Sequence, residues 1–253
     1  MLDFPSFHLT GWQWALLALC AVMVGIAKTG IPGFGTLVVP LAAIAVGAKT
    51  SVGIVLPMLI IADVFAIAYH RRNALWGHIL RLVPIALIGI VAGWSVSDRL
   101  DDAVMKRVIG LIVLAMVVLR YAQKRWLAAE TQNALPQSRI FAVVMGFLAG
   151  LTTMLANAAG PVMNLYLLTV RLPKMQFVGT AAWFFFIVNW LKVPFQWDVG
   201  GITPETLRLN ALLAAPIVLG AIIGIIALKR IPQRAFNVII EVLTIAAAAK
   251  LLV

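Results

Sequence analysis

The sequence predicts an all-α integral membrane protein built from two inverted-topology repeats, and three observations support this prediction. Hydrophobic residues make up 63% of the 253 residues and charged residues only 11%, whereas a soluble domain carries about 25% charged residues. Several stretches free of Asp, Glu, Lys and Arg reach the about 20 residues that a helix needs to cross a bilayer. They are residues 4–27, 29–48, 140–170 and 209–228. The third observation is that the two halves of the chain carry the same order of segments.

The internal repeat is visible in glycines that recur at nearly constant spacing. The offset between matching positions is 125 residues early in each half, 126 in the middle and 131 later. The matching positions are Gly25 and Gly150, Gly35 and Gly160, Val52-Gly53 and Val178-Gly179, Gly89 and Gly220, and Gly93 and Gly224. For Gly89-xxx-Gly93 and Gly220-xxx-Gly224, the spacing of small residues indicates close helix packing.

Each half contains five predicted hydrophobic segments. They are 12–27, 33–47, 51–70, 79–97 and 104–121 in the first half, and 140–153, 158–170, 175–195, 206–228 and 235–252 in the second. At 1.5 Å per residue the first two segments of each half are too short to span comfortably. Full helices, broken helices and a re-entrant hairpin all stay open for this pair, and three transmembrane helices follow it. The predicted units are a first repeat over 1–121, a cytoplasmic linker over 122–138 and a second repeat over 139–253.

The topology follows from counting crossings and loop charges. In each of these forms the first pair of segments returns the chain to its starting side, and three transmembrane helices follow. Each half is therefore predicted to cross an odd number of times, which makes the repeats inverted. Lys and Arg concentrate in the loops on one side, which the positive-inside rule makes cytoplasmic. Both termini are then predicted to lie outside. Lys192 is counted among the charges of the outer side.

Composition and motifs exclude several classes of function. The formal net charge of +11 comes from residues at segment ends, where they set membrane orientation, so nucleic acid is not an expected partner. The single cysteine, Cys20, excludes a cysteine-ligated metal site and an internal disulfide framework. We find no His-Glu-x-x-His motif, no Gly-x-Ser-x-Gly motif and no Walker motif. The chain is therefore predicted not to be an enzyme, and no cofactor or metal is expected.

Two patches of Gly, Pro and polar residues, 28–36 and 153–161, interrupt the apolar segments at equivalent places. Paired interruptions of this kind point to the binding site of a transporter. Helix N-termini that start at such breaks present free N–H groups and partial positive charge, which suits an anion, although close helix packing is the alternative. The candidate substrate-binding residues are Lys28, Thr29, Gly30, Gly33, Gly35, Thr36, Thr153, Asn157, Gly160 and Asn189.

Lys28 is the charged residue at the first break. A charge at the bilayer centre costs about 2.5–3.5 kcal/mol on insertion scales, so such a residue is a functional candidate by default. The alternative is that the first segment ends there and the side chain reaches the membrane interface. Its counterpart in the second half is Thr153.

Two acidic residues lie inside predicted segments. Acidic side chains at this depth mark either proton relays or structural ion pairs, and both interpretations stay open for Asp63 and Glu241. Asp63 is the first candidate for proton coupling and Glu241 the reserve, because the repeat mate of Asp63 is Asn189, which has the same shape but does not titrate. Asn189 and Lys192 lie one helical turn apart and are expected to face the same cavity.

These motifs give the chain a family resemblance. It is similar to the TauE/SafE, or sulfite exporter, family of membrane anion transporters over nearly its whole length. The motifs are Val24-Gly-Ile-Ala-Lys-Thr-Gly-Ile-Pro-Gly-Phe-Gly-Thr36, Gly150-Leu-Thr-Thr-Met-Leu-Ala-Asn-Ala-Ala-Gly-Pro161 and Gly179-Thr-Ala-Ala-Trp-Phe-Phe-Phe186. The glycine-rich patterns specify the family better than the substrate.

The resemblance implies transport of sulfite, an organosulfonate or a related small anion across the bacterial inner membrane. The expected function is therefore a multi-pass secondary transporter that works by alternating access, and the buried carboxyl groups favour coupling to protons. An anion channel of the same architecture is the alternative. The expected partners are the inorganic or organosulfonate anion, protons and membrane lipid. The identity of the anion, the direction of transport and a homo-oligomeric state stay open.

Overall fold

The described part of the chain forms eight α-helices and no β-strand in a computed structural model. It comprises residues 9–31, 34–97, 99–101 and 139–232, with the single positions 103, 104, 107, 111, 115, 118 and 235. The helices are α1 Gly11–Thr29, α2 Phe34–Val46, α3 Ala48–His70, α4 Trp76–Ser97, α5 Arg139–Ala156, α6 Ala159–Thr169, α7 Lys174–Asp198 and α8 Pro204–Arg230. The all-α prediction is confirmed for these residues. Most of the predicted segments 104–121 and 235–252, and nearly all of the linker, lie outside the described residues.

Six of these helices, all except α2 and α6, are long and apolar enough to cross a membrane. The prediction that the first segment of each half is too short was wrong, because α1 has 19 residues and α5 has 18. The first two polar residues of the break, Lys28 and Thr29, belong to the last turn of α1, where the Thr29 hydroxyl donates to the Gly25 carbonyl one turn back. The second segments are indeed short. With 13 and 11 residues, α2 and α6 reach only about 20 Å and 16 Å at 1.5 Å per residue.

Each long–short pair turns back at one of the two sequence breaks. In the first half, Gln13 near the start of α1 donates to the carbonyl of Ala45 near the end of α2 at 2.7 Å, so the two helices run antiparallel. In the second half the chain turns at Asn157, whose φ of 51° lies in the left-handed region. Asparagine tolerates this region better than most residues. The break therefore places an amide side chain at the turn between α5 and α6.

Backbone-to-backbone contact joins α1 to α8. A Cβ at Gly220 would stand 2.1 Å from the carbonyl oxygen of Val22, and one at Gly224 would stand 2.9 Å from that of Ile26. The contacts advance in the same direction along both helices, so α1 and α8 run parallel. The predicted packing role of this glycine pair is confirmed.

An equivalent interface joins α4 to α5. A Cβ at Gly89 would stand 2.2 Å from the carbonyl oxygen of Phe147, and one at Gly93 would stand 3.4 Å from that of Leu151. These helices also run parallel, and the predicted packing role of this second pair is confirmed. The contacts reproduce those between α1 and α8 at the sequence offsets of 125 and 131 residues.

The helices α3 and α7 pack against each other in antiparallel orientation. Gly53 near the start of α3 lies against Gly201 just beyond the end of α7, where a Cβ would meet the Gly201 carbonyl oxygen at 1.9 Å. At the other end, a Cβ on Gly179 near the start of α7 would stand 2.9 Å from the Asn73 backbone, just beyond α3. The two helices are therefore antiparallel neighbours.

The apolar core consists of two main clusters. One is formed by residues of α1, α2 and α3 with the first half of α8. The other is formed mostly by residues of α4, α5, α6 and α7. Val24 and Val38 of the first cluster and Val178 and Ala181 of the second face one pocket, so the space between the clusters contains the candidate site.

Candidate functional site

A pocket, here called the central pocket, lies between the two sequence breaks. Helices from both halves line it: α1, α2 and α3 from the first, and α5, α6 and α7 from the second. The second residues of the short helices, Gly35 of α2 and Gly160 of α6, are both on its wall. The N-terminal ends of two helices therefore border the pocket, and such ends favour negative charge.

The structure brings together six of the ten predicted substrate-binding residues. Those on the wall of the central pocket are Lys28, Gly35, Thr153, Asn157, Gly160 and Asn189. These residues come from both breaks and from α7, although up to 161 positions separate them in the chain.

Two of the other four predicted residues lie in a helix interface. The hydroxyl of Thr29 donates to the Ala221 carbonyl of α8 at 2.8 Å, and a Cβ at Gly30 would stand 2.1 Å from the Gly224 carbonyl oxygen. The structure thus places Thr29 and Gly30 where α1 packs on α8 and not on the pocket wall. Gly33 and the side chain of Thr36 lie outside the described residues.

Lys28 joins the pocket to a buried polar chain. Its ammonium is 2.8 Å from Asp63 Oδ1 and lies over the Phe185 ring, 4.2 Å from the centroid. The other carboxylate oxygen, Oδ2, accepts a hydrogen bond from Asn189 Nδ2 at 2.7 Å. The Lys28 side chain is only 9% exposed, so it does not reach an interface as the alternative interpretation required.

A second lysine is buried beside the pocket, and the sequence interpretation placed it wrongly. Lys192 was counted as a charge of the outer side. It belongs to α7 instead, and the residue is fully buried in the protein, with 0% exposure. Its ammonium donates to the Thr153 carbonyl at 2.9 Å, to the Thr153 hydroxyl at 3.3 Å and to Asn157 Oδ1. All three acceptors are neutral oxygens. Asn189 is on the wall of the central pocket and Lys192 is not, so the expectation that both face the same cavity stays a prediction.

Asn157 links this lysine to a third helix. Its oxygen accepts from Lys192, while its Nδ2 donates to the Val52 carbonyl of α3 at 2.9 Å. Both the oxygen and the nitrogen of the amide are therefore hydrogen-bonded, and these bonds fix the turn between α5 and α6 against α3 and α7.

The charges at this depth do not cancel. Lys28 and Lys192 contribute two formal positive charges, and Asp63 contributes one negative charge. Buried charge is costly unless it is compensated, and helix N-termini border the same pocket. The arrangement is therefore suited to receive a small anion.

Six long apolar helices, four of which line a buried pocket with Lys28 on its wall, define a multi-pass membrane protein with an internal cavity. The model of the sulfite exporter TauE/SafE family matches residues 17–251. The chain belongs to this family and is a transmembrane transport protein. No curated protein and no solved structure matches it.

Proposed function

We propose that this protein is a secondary transporter for a small sulfur-containing anion, sulfite or an organosulfonate, and that the central pocket is its binding site. The observation that carries the proposal is that both sequence breaks meet at one buried pocket, with Lys28 on its wall and a second buried lysine, Lys192, beside it. Lys28 and the N-terminal end of α2 come from the first break, and Thr153, Asn157 and the N-terminal end of α6 come from the second. Charge-assisted hydrogen bonds from such groups are the strong interactions that an oxyanion can make. The proposed location is the bacterial inner membrane.

We further propose that residues 1–121 and 139–253 form inverted repeats that move against each other in alternating access. The equivalent interfaces α1–α8 and α4–α5 support a two-fold relation between the halves. Because the matching helices α3 and α7 run antiparallel, the axis of that relation is perpendicular to them. Such an axis lies in the membrane plane, which is the geometry of inverted repeats.

The parallel packing of α4 and α5 also supports the proposed orientation of the chain in the membrane. Because α4 and α5 run parallel, Ser97 at the end of α4 and Arg139 at the start of α5 lie at opposite ends of this helix pair. This agrees with an odd number of crossings in the first half. With the linker 122–138 in the cytoplasm, both termini are outside in the proposed topology.

We also propose that transport is coupled to protons, and the contact between Lys28 and Asp63 supports this. An anion that binds the Lys28 ammonium competes with the carboxylate for it. Removing one partner of a buried ion pair costs about 3–5 kcal/mol, because the other charge stays buried and uncompensated. A proton taken up by Asp63 removes this charge, so anion and proton travel together. Glu241, the reserve candidate, lies outside the described residues.

The binding proposal is tested by calorimetric titration of the purified protein with sulfite, sulfate, thiosulfate and taurine. We expect Lys28→Met to weaken binding of the preferred anion more than tenfold, about 1.4 kcal/mol. The matched control is Lys229→Met, which removes the same charge from an exposed position over the Tyr69 ring. In the double variant Lys28→Met with Asp63→Asn no carboxylate is left unpaired, so weak binding there reports the lost ammonium itself.

Unchanged affinity in both Lys28 variants would contradict the proposed site. The alternative function, an anion channel, is separated by flux in proteoliposomes. A transporter driven by a proton gradient accumulates the anion against its own electrochemical gradient, whereas a channel only dissipates that gradient.

A further inference from the structure

A second cavity, here called the outer cavity, lies at the ends of the helices on the side where α3 begins. Its wall is formed by the first turns of α3 and α8 and by the last turns of α4, α5 and α7. In the proposed topology this is the outer side of the membrane. The outer cavity is therefore the natural entrance or exit of the central pocket on that side.

Neighbouring residues of α3 and α5 face the two cavities. On α3, Val55 lines the central pocket and Val52, one turn earlier, lines the outer cavity. On α5, Thr153 lines the central pocket and Met154, the next residue, lines the outer cavity. One turn of helix thus separates the two spaces.

The layer between them is polar and centred on Lys192. On α7, Asn189 lines the central pocket and Gln196 lines the outer cavity, and Lys192 lies between these two residues. Its ammonium holds Asn157 and Thr153 together on the central side. On the outer side Gln196 donates to the Met154 carbonyl at 3.3 Å.

We propose that Lys192 is the latch of an outer gate and a ligand of the transported anion. In the structure its ammonium closes the layer by holding Asn157, which in turn holds the Val52 carbonyl. An anion in the central pocket offers Lys192 an oppositely charged acceptor in place of neutral ones, and the attraction between two opposite charges is stronger in a low-dielectric interior than in water. Lys192 then leaves Asn157, the link between α5 and α3 is released, and the pocket opens to the outer cavity.

This inference rests on the proposed function, because it assumes that the central pocket receives an anion. It gives the two buried lysines different tasks. Lys28 is neutralised by Asp63 in the anion-free protein, whereas Lys192 has neutral acceptors and gains more from an arriving negative charge. A ligand shifts a conformational equilibrium only by its differential affinity for the two states, and the change of acceptor at Lys192 supplies that difference.

The chain is well suited to a cysteine-accessibility test. Its single cysteine, Cys20, is buried, so Cys20→Ala gives a cysteine-free background. In that background Val55→Cys reports on the central pocket, and Thr203→Cys is the matched control in the outer cavity. A membrane-impermeant thiol reagent is added from the outside of oriented proteoliposomes, and the rate of modification is measured.

Without anion we expect Thr203→Cys to react rapidly and Val55→Cys to react at less than about one tenth of that rate. This ratio corresponds to a gate that is closed in about 90% or more of the molecules. Adding Asn157→Ala or Lys192→Met should bring the rate of Val55→Cys close to that of the control. Methanesulfonate, a sulfonate that does not attack the reagent, should accelerate Val55→Cys in the protein with Lys192 and leave the Lys192→Met rate unchanged.

Slow modification of Val55→Cys in both latch variants would overturn the gate. Unchanged modification at a methanesulfonate concentration that calorimetry shows to be saturating would overturn the role of Lys192 as the trigger. Opening by the latch variants together with no anion binding at all would instead contradict the proposed function, so the two failures are distinguishable.

Discussion

Asn189 donates a hydrogen bond to Asp63 at 2.7 Å, and the two residues occupy equivalent positions in the two halves of the chain. In the two-fold relation proposed above, equivalent residues touch each other only close to the axis, so this contact is where we expect the axis to pass. The two side chains have the same shape, but only one carries a charge. On either side of them the halves differ again, since Lys28 corresponds to Thr153 and Ala66 corresponds to Lys192. The central pair is thus symmetric in shape, whereas the positions beside it differ in both size and charge.

That asymmetry leads to the first prediction, which concerns pH. If each anion binds together with one proton at Asp63, affinity in the wild type should fall as pH rises, by up to about tenfold per unit. Asp63→Asn should retain anion binding and lose both this pH dependence and the response of transport to an imposed proton gradient. Calorimetry across a pH series and flux in proteoliposomes measure the two effects.

Glu241→Gln is the companion variant for the reserve candidate. Wild-type pH sensitivity in both Asp63→Asn and Glu241→Gln would refute a proton carrier at either position. A uniporter, a channel or another coupling ion would then be favoured.

The second prediction separates glycines that pack from glycines that line the pocket. A Cβ at Gly150 would stand 1.9 Å from the Ala86 carbonyl oxygen, whereas one at Gly160 meets nothing within 4 Å. Gly150→Ala must push α5 away from α4 and should lower the melting temperature by several degrees, as a loss of about 1–3 kcal/mol would. Gly160→Ala should leave it unchanged, and Gly160→Leu should fill the pocket and abolish transport in folded protein. Equal melting temperatures for Gly150→Ala and Gly160→Ala would show that the α4–α5 contact is not as tight as described.

The third prediction concerns topology. Reporter fusions at residue 253 and within 122–138 should report the outside and the cytoplasm respectively, because in the proposed topology each half crosses an odd number of times and the basic loops are cytoplasmic. A cytoplasmic reporter at residue 253 would be incompatible with inverted repeats.

Most of the helices could be predicted from the sequence, because long apolar runs bounded by charges leave the backbone few other ways to bury its polar groups in lipid. The ends of α1 and α5 could not, since Lys28 and Thr153 look like helix ends in a hydropathy pattern. The structure shows that both stay helical because their polar side chains find partners inside the protein.

The candidate site was predictable in part. The convergence of the two breaks follows from the repeat, but spacing alone could not separate the pocket wall at Gly35 and Gly160 from the interface at Thr29 and Gly30, because small residues serve both purposes. Lys192 was assigned to the outer side because it is a cation near the end of the predicted segment 175–195. The charge count does not reveal that two oxygen atoms of Thr153 in α5 and one of Asn157 in the following turn hold that cation inside the protein.

The central claim is that the anion binds in the central pocket, and anomalous diffraction with selenite tests it most directly. Selenite has the shape and charge of sulfite, and its selenium atom can be located independently of the protein. The purified Cys20→Ala variant avoids reaction with the single thiol and should crystallise with selenite at a concentration that raises its thermal stability. We predict one strong selenium peak within the pocket, with its oxygen atoms at hydrogen-bonding distance, about 3 Å, from Lys28 Nζ or Lys192 Nζ. A strong peak elsewhere, with the central pocket empty, would contradict this account.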